Sequence, residues 1–484
     1  MKRMFNRINK WRTIHRSGFF KLTLVTIALL FLSCAEMPVF REEIFYPQVK
    51  QPSVTVKLLE TRNDLSVSSD GSFVIRCFPK EGKGSIYYAA AEILVKLSDG
   101  DITLSQKTQG ELEANLYKVS FFPKEDNLWL YLDGRPYRGT VEITAKKNPG
   151  SLLIVNVIYV EDYLKGVVPA EMGKLSQQEM EALKAQAIAA RTYSLSRLGR
   201  DADRGYDLEA SAEDQVYAGV KAEDALVNRA IQLTRREVLT HKGKVIQAYY
   251  HANSGGKTEY IERVWDKHKE DYLIPIDDGD FCSWSKNYTW AESWTEEALK
   301  RNIEEFLGTF VNFTDEGMGN LLELRVKSRS PSGRVEVLEV LTDEGTYLIQ
   351  KDKIRWALKR GSDPTSILPS TLFDLKIERG TDGSIQRIIA QGRGNGHGVG
   401  MCQTGAIGMA RKGYSYKDIL MHYYPGVKIT KGYKKSNSGV QKLAFAYFNR
   451  SDPFDASNVV LQSVAGGALH AVLSTPRLRP ERSP

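Results

Sequence analysis

The sequence contains few cysteines, and this scarcity excludes a disulfide-rich scaffold. Four cysteines occur among 484 residues, whereas small exported domains held by disulfides are dense in them. The short Cys-x2-Cys and His-Glu-x-x-His spacings typical of zinc sites are missing as well. With 42% hydrophobic and 26% charged residues, the chain can instead bury ordinary cores in two or three domains.

Long apolar runs are also missing, apart from one short run near the N-terminus. Seven Lys or Arg residues lie within the first 21 and precede the run from Leu22 to Leu32. That run is shorter than the roughly 20 residues that span a membrane. We therefore predict an export signal at residues 1–34. Residues 30–34 resemble a bacterial lipobox with Cys34 as the lipidated residue, and cleavage without lipidation is the alternative.

This signal predicts a periplasmic or cell-envelope location, with a lipid anchor to a membrane through Cys34. The net charge is +8, and such a balance can indicate nucleic acid, anionic lipid or wall polymer as a partner. The seven N-terminal cations would leave with the signal, and the remaining chain is then nearly neutral. We therefore predict no nucleic-acid partner.

Hydrophobic periodicity and turn residues predict the fold class. Short alternating runs broken by turns, such as 128–132 and 139–143, are typical of strands. Ser176 and Glu179 form a capping box before a helical pattern. We predict a β-rich α+β fold with a central capped helix that carries the active-site face, and a smaller α/β insertion.

The same signals predict an order of segments along the chain. The predicted segments after the signal are a tether at 35–53, a β-rich part at 54–150, the first half of a catalytic core at 151–290, an α/β insertion at 291–375, the second half of the core at 376–432 and a poorly ordered tail at 433–484.

The first candidate site is the segment 167–173, where an apolar, strand-like stretch carries Glu171 into a bend just before the capped helix. On that helix, Lys184, Ile188 and Arg191 share one face. A carboxylate that faces two cations can act as an acid or base. The alternative is that Glu171 caps the helix or pairs with a surface lysine.

Two further segments carry polar groups. In 249–258 a strand ends in His251, and the loop of small residues that follows can offer free backbone N–H groups to a ligand. From Gly392 to Gly400 every second residue is glycine, so an extended chain would present one bare face. Such a run implies close approach by another backbone or a ligand. A structural role for His251 and a packing role for the glycines are the alternatives.

Cysteines follow both segments, at Cys282 and Cys402. Together with His251 and His397 they would suit tetrahedral zinc if they met in space. A disulfide between the two cysteines, or two free thiols, is the simpler alternative and is placed ahead of zinc. We therefore predict no cofactor, with zinc as the alternative.

Taken together and in order, these segments resemble the SpoIID/LytB family of cell-wall proteins, sporulation stage II protein D and the amidase enhancers. The resemblance covers residues 54–432. The segments that carry it are 161–172, 185–193, 214–219, 251–256, 392–405 and 422–426.

The resemblance implies a lytic transglycosylase that cuts peptidoglycan glycan strands stripped of their stem peptides. Glu171 would be the general acid and then the base, and Lys184, Arg191 and His251 would be further catalytic residues. One carboxylic acid with a raised pKa is sufficient, because the sugar's own 6-hydroxyl attacks and no second carboxylate is needed. The implied substrate-binding residues are Tyr217, Ser254, Arg393, His397 and Gln403.

Two positions depart from the family pattern. Thr404 stands where an aromatic residue is usual, and Asn395 where Trp or Phe is common; both bear on substrate preference. The alternative function within the family is a non-catalytic wall-binding module that stimulates a cell-wall amidase, which would then be a partner. A zinc hydrolase is a third alternative that depends only on the Cys and His residues. A role in sporulation does not follow from the resemblance.

Overall fold

A computed structural model describes residues 51–433 except 126, 148–149, 201 and 314–316, together with 459–463 and 469–473. The predicted export signal, Cys34 and most of the predicted tether lie outside the described residues, as does most of the predicted tail. Within the described part, we find no helix with the length and hydrophobicity that crossing a membrane requires.

Strands dominate the first part of the chain. The elements up to the middle of the chain are β1 (Ser53–Thr61), β2 (Leu65–Ser69), β3 (Phe73–Pro79), β4 (Ser85–Ala89), β5 (Ile93–Ser98), β6 (Asp101–Gln106), β7 (Gly110–Pro123), β8 (Leu130–Leu132), β9 (Arg135–Tyr137), β10 (Thr140–Lys146), β11 (Ser151–Tyr159), α1 (Val160–Met172), α2 (Met180–Arg197), β12 (Leu208–Glu209), α3 (Ala225–Leu233), β13 (Glu237–His241), β14 (Lys244–Val245) and β15 (Tyr250–His251).

Helices and strands alternate more evenly afterwards. The remaining elements are α4 (Ile261–Val264), β16 (Thr289–Trp294), α5 (Glu296–Leu307), β17 (Leu321–Arg329), β18 (Val335–Thr342), β19 (Thr346–Gln350), α6 (Lys353–Leu358), β20 (Phe373–Arg379), β21 (Ile385–Arg393), β22 (Met401–Cys402), α7 (Gln403–Arg411), α8 (Tyr416–Tyr423), β23 (Lys428–Lys431), β24 (Val459–Ser463) and β25 (Leu469–Leu473). The predicted β-rich α+β class is confirmed.

A 14-stranded sheet contains β1 to β12, and its main path runs β12-β1-β11-β10-β7-β6-β5-β2-β8-β9. Strand β3 leaves this path from β7, and β4, β25 and β24 follow it. Strand β11 lies between β1 and β10 and is antiparallel to both. Residues 151–158 are all buried, as expected of a strand covered on both faces.

Helix α2 crosses the main hydrophobic core. The predicted capping box is present, since the backbone N–H and the hydroxyl of Ser176 both donate to Glu179 Oε2, at 2.7 and 2.6 Å. The core contains side chains from the large sheet, from α1 and α2, and from α7 and α8. Ile188 and Arg191 are fully buried, so the predicted active-site face of α2 points into this core.

The segment 167–173 is helical and not strand-like, which corrects the sequence interpretation. It forms the end of α1, and Gly173, at φ 67°, ends the helix by donating its N–H to the Pro169 carbonyl at 2.9 Å. Leu164, Val167 and Val168 are all buried at helical spacing. The adjacent valines concealed that spacing in the sequence.

A second hydrophobic core lies between Trp294 and Ala390. It contains α5 and α6 and the two three-stranded sheets β16-β21-β20 and β17-β18-β19. This core extends past the predicted boundary at residue 375. The predicted α/β insertion at 291–375 contains α5 and α6 together with the strands β17 to β19.

Candidate functional site

Glu171 lies in the last turn of α1, where two donors hold its carboxylate. The backbone N–H of Val216 donates to Oε1 at 2.8 Å, and the side-chain amide of Gln403 donates to Oε2 at 3.3 Å. The side chain is half-buried. Burial raises the pKa of Glu171, although the two hydrogen bonds act in the opposite direction. This carboxyl therefore keeps its proton to higher pH than an exposed one.

Gln403 is the first residue of α7, directly after the glycine-rich segment. Cys402 caps this helix, because its sulfur accepts the N–H of Gly405 at 3.2 Å. The cap holds the first turn of α7 in place and with it the amide of Gln403. The fold thereby brings together two predicted site residues, Glu171 and Gln403, that lie 232 positions apart.

The other donor to Glu171 is positioned by buried neighbours of Val216. The Gln215 side chain donates to Tyr250 Oη at 2.9 Å and accepts from Ser194 Oγ at 2.8 Å. Tyr217 is buried, and its hydroxyl donates to Asn156 Oδ1 at 2.9 Å. The structure therefore places Tyr217, a predicted substrate-binding residue, beneath the site and not on an open surface.

Arg191 is fully buried and paired with a carboxylate other than Glu171. Its Nη2 and Nε donate to the Glu161 carboxylate at 2.8 and 3.1 Å, and its Nη1 donates to the Glu237 carbonyl at 3.1 Å. Burial would raise the pKa of Glu161, but the Arg191 charge and hydrogen bonds hold it below its usual value. Lys184 pairs with Glu181 at 2.6 Å. Neither predicted cation is hydrogen-bonded to Glu171.

His251 and His397 lie side by side, with ring centroids 5.5 Å apart. His251 is buried, its Nδ1 lies 3.2 Å from the Val399 carbonyl, and its Nε2 has no hydrogen-bond partner among the described residues. Burial lowers the pKa of His251 to about 3, and the charge of Arg334 acts in the same direction. Burial also lowers the pKa of His397. Both rings are therefore neutral at pH 7.

His397 is enclosed by aromatic rings and by its own loop. The Trp265 ring centroid lies 4.7 Å away and that of Tyr249 6.3 Å away. The backbone N–H of Val399 donates to His397 Nδ1 at 3.0 Å. The sequence interpretation did not include Trp265, and it contained Tyr249 only as the first residue of the segment 249–258.

The glycine-rich segment ends β21 with Gly392 and Arg393 and then becomes a loop, which corrects the extended conformation considered from the sequence for Gly394 to Gly400. Gly394, Gly396, Gly398 and Gly400 all have positive φ, at 81°, 104°, 85° and 73°. A Cβ on Gly398 would lie 2.5 Å from Arg334 Nη2. The predicted close approach is therefore present, but it involves a buried guanidinium as well as backbone.

Arg334 is a buried residue that no sequence signal indicated. It donates to the carbonyls of Ser254 and Lys257 at 2.8 and 2.9 Å, and burial lowers its pKa to about 10. Ser254, a predicted substrate-binding residue, is fully buried and donates its hydroxyl to Asp278. Arg334 thus links the turn before β18 to the loop that follows His251.

Arg393 lies at the end of β21, in an open cleft of about 810 Å³. The lining includes Trp290 and Phe373, whose ring centroids are 6.1 Å apart, and Arg329. This cleft belongs to the region of the second core. Glu171 is not among its lining residues, so the two predicted site residues Arg393 and Glu171 occupy different surfaces.

The cysteines are free thiols throughout the described part of the chain. Cys282 and Cys402 are buried, and their sulfurs and a carboxylate oxygen of Asp278 lie within 4.8 Å of one another. Among the described residues, the grouping that gathers these thiols contains neither His251 nor His397. The predicted set of four zinc ligands is therefore not brought together.

Two family models match separate parts of the chain. Residues 148–241 match one described as Stage II sporulation protein, and residues 282–400 match a domain of unknown function, DUF8618. An uncharacterized protein of Brachyspira hyodysenteriae is 29% identical over 389 residues, which cover 79% of this chain and 94% of that protein.

Two named relatives come from Bacillus subtilis. Its Amidase enhancer is 28% identical over 333 residues, which cover 62% of this chain but only 44% of that protein. Its Stage II sporulation protein D is 27% identical over 309 residues, with 59% of this chain and 81% of that protein covered.

Glu171 and α2 lie inside the stretch that matches the sporulation protein. The fold and the matches define a protein of the cell-wall-related class that contains a SpoIID domain. Residues 148–241 match the SpoIID family model, as the motifs predicted, and the chain is similar to relatives named Stage II sporulation protein D and Amidase enhancer.

Proposed function

We propose that this protein cleaves the glycan strands of peptidoglycan by a lytic transglycosylase reaction. The observation that carries this proposal is the half-buried carboxyl of Glu171, whose pKa is raised by burial and whose two oxygens are held by Val216 and Gln403. A general acid must carry its proton at the working pH, and burial shifts the pKa of Glu171 in that direction.

The reaction needs one residue that first donates and then accepts a proton. Protonated Glu171 gives its proton to the glycosidic oxygen as the bond to the anomeric carbon breaks. The 6-hydroxyl of the same sugar then attacks the anomeric carbon and returns a proton to Glu171. The products are a strand with an anhydro-sugar end and a strand with a free hydroxyl. No water is consumed, so a second carboxylate is not needed.

The neighbours of Glu171 suit both halves of this cycle. When the carboxyl ionises, the Val216 N–H and the Gln403 amide are already in place to stabilise the negative charge. Arg191, Tyr217 and Ser254 are all buried. We therefore assign them as positioning residues and not as residues that contact the sugar. His251 and His397, neutral at pH 7, would act as hydrogen-bonding groups and not as cations.

The substrate and location follow from the same proposal. Peptidoglycan glycan strands without stem peptides are the proposed substrate, and the cell envelope is the proposed location. The relatives named Stage II sporulation protein D and Amidase enhancer support a role at the cell wall. Lipidation at Cys34 belongs to the proposal and not to the described structure.

The second candidate is a non-catalytic wall-binding protein that stimulates a cell-wall amidase. The relative named Amidase enhancer favours it, and a shared fold does not decide between the two roles. Under this candidate Glu171 would contribute only to binding.

One experiment separates the two candidates. Purified protein, a Glu171→Gln variant and a Glu213→Gln control are incubated with intact and with amidase-treated peptidoglycan, and the products are analysed by mass. Glu213 is exposed and close in sequence to Val216. We expect anhydro-sugar ends from the wild type and the control, with a loss of at least about 100-fold in Glu171→Gln.

Each outcome of this experiment favours or rejects one of the two candidate functions. Equal release of anhydro-sugar ends by Glu171→Gln would remove the proposed acid. No release by the wild type, together with faster turnover of an added cell-wall amidase, would establish the second candidate. Equal urea midpoints for the three proteins would show that any difference is catalytic.

A further inference from the structure

We propose that Asp278, Cys282, Cys402 and His422 form a structural zinc site in the main core. This inference is independent of the proposed function. It differs from the ligand set considered from the sequence, because the two thiols lie with a carboxylate and a different histidine. Two sulfurs, one oxygen and one imidazole nitrogen are an ordinary ligand set for tetrahedral zinc.

Three of the four ligands are already gathered. The two sulfurs and a carboxylate oxygen of Asp278 lie within 4.8 Å of one another, and all three residues are fully buried. Zinc–sulfur bonds of about 2.3 Å place two sulfurs ~3.8 Å apart in a tetrahedral site. A contraction of about 1 Å through side-chain torsions is therefore enough to close the site around the metal.

The fourth ligand is His422, near the end of α8. Its Nε2 lies 3.9 Å from Asp278 Oδ1, which is too long for a hydrogen bond. This nitrogen is buried and has no hydrogen-bond partner among the described residues. A buried, unpartnered imidazole nitrogen beside the carboxylate of this thiol cluster is the observation that points to a coordination site.

Other hydrogen bonds orient the proposed ligands. Ser254 Oγ donates to Asp278 Oδ2 at 2.6 Å, and the Tyr423 hydroxyl donates to Oδ1. A carboxylate oxygen that accepts one hydrogen bond still has a lone pair for a metal. Such outer partners fix the direction of metal ligands.

Two backbone N–H groups donate to the sulfur of Cys402, while burial raises the pKa of this thiol. The N–H groups of Ser254 and Gly405 both donate to its sulfur at 3.2 Å. Cys402 is also the N-cap of α7, where the helix dipole stabilises negative charge. Zinc would displace the thiol protons of Cys282 and Cys402 and supply the positive charge that this buried cluster lacks.

The consequence is a cross-link between three separate segments: the turn at 278–282, the start of α7 and the end of α8. Gln403, which donates to Glu171, immediately follows the ligand Cys402. Metal binding at this point would rigidify the first turn of α7. Because the ligand residues are buried or partly buried, the site has a structural and not a catalytic character.

The test uses the full chain, purified under reducing conditions, with ZnCl2 as the probe. Metal analysis after desalting should give one zinc per chain. Cys402→Ser and His422→Gln should each weaken zinc binding by at least about tenfold in a chelator competition. Cys77→Ser is the matched control, because Cys77 is buried in the large sheet and is not one of the proposed ligands; it should bind like the wild type.

A second measurement does not depend on variants that could fail to fold. Co2+ added to the metal-free wild type should give the intense absorption of tetrahedral thiolate coordination, and Zn2+ should abolish it. Absence of this absorption would overturn the proposal, as would zinc binding in Cys402→Ser or in His422→Gln that is as tight as in the wild type. A linked Cys282–Cys402 peptide in the protein purified without reductant, combined with no zinc uptake after reduction, would also overturn it. None of these results depends on glycan cleavage.

Discussion

The two regions that match separate family models differ in how their buried residues are organised. Residues 148–241 contribute β11, α1 and α2 to a core that also needs the large sheet and α7 and α8. Residues 282–400 hold the second core, which lies between Trp294 and Ala390 and is formed by that stretch alone. The Glu171 site therefore depends on distant parts of the chain, whereas the second region packs largely on itself.

Arg334 is a buried contact between the second region and the loop after His251, which lies between the two matched stretches. It comes from the second region, donates to carbonyls of the loop after His251, and lies against Gly398. Its charge also contributes to the lowered pKa of His251. Changes in the first core, at the Arg334 contact and at His251 should have effects that decrease in that order.

The largest effect is expected from Arg191→Met. The substitution leaves the buried Glu161 carboxylate without its cation, which costs about 3–5 kcal/mol. Urea unfolding followed by circular dichroism should show this loss in the transition of the first core. Lys184→Met on the same helix removes a partly exposed pair with Glu181 and should cost less than about 1 kcal/mol.

A reversed order of these two variants would contradict the structural role assigned to Arg191. Cleavage of glycan by folded Arg191→Met at the wild-type rate would agree with that role. A loss of activity without any loss of stability would instead return Arg191 to the catalytic residues that the resemblance implied.

The next effect is expected from Gly398→Ala. A Cβ there combines a left-handed backbone, φ 85°, with a contact of 2.5 Å to the hydrogen-bonded Arg334 guanidinium. We expect a loss of about 2–3 kcal/mol. Gly383→Ala is the matched control, because Gly383 has φ 83° and no atom within 4 Å of an added Cβ; it should lose only about 1 kcal/mol.

The difference between these two glycine variants isolates the contact with Arg334. Equal losses in the two variants would mean that the guanidinium moves aside freely and that its hydrogen bonds to the loop after His251 do not hold it in place. Urea unfolding measures the loss of stability in both glycine variants.

The smallest effect is a pH dependence that comes from His251. Its pKa is lowered to about 3 when folded, against about 6.5 when unfolded, so the unfolded chain takes up a proton first as the pH falls. Its contribution to stability is complete above pH 6.5 and is lost progressively between pH 6.5 and 3. From pH 7 to 5 this loss is about 2 kcal/mol.

A His251→Gln variant should lack this part of the pH dependence in urea midpoints measured at pH 7 and 5. His268→Gln, at an exposed position, should behave like the wild type. An identical slope in His251→Gln and wild type would show that the ring is not held neutral by burial.

Local signals were enough for much of the fold. The capping box of Ser176 and Glu179 and the buried strand β11 depend on neighbouring residues, and both are present. Helix α8 also begins at a local signal, because Ser415 and Asp418 form a capping box at its start. The helical end of α1 was missed, because two adjacent valines resemble a strand when read over a few residues.

The site was harder to predict, because its contacts are distant in sequence. Periodicity correctly indicated that Ile188 and Arg191 share a face, but it cannot tell whether that face meets solvent or core. The family resemblance was needed to connect Glu171 with the segment that contains Gln403. Arg334 could not be predicted, because an arginine after a Ser-Gly turn is usually a surface residue.

The two ends of the second region lie next to each other. Thr289 pairs with Arg393, and the N–H of Gly394 donates to the Tyr288 carbonyl at 2.8 Å. The parallel pairing of β15 with β22 lies outside this excursion of the chain. The contact between Glu171 and Gln403 likewise involves no residue of the second region.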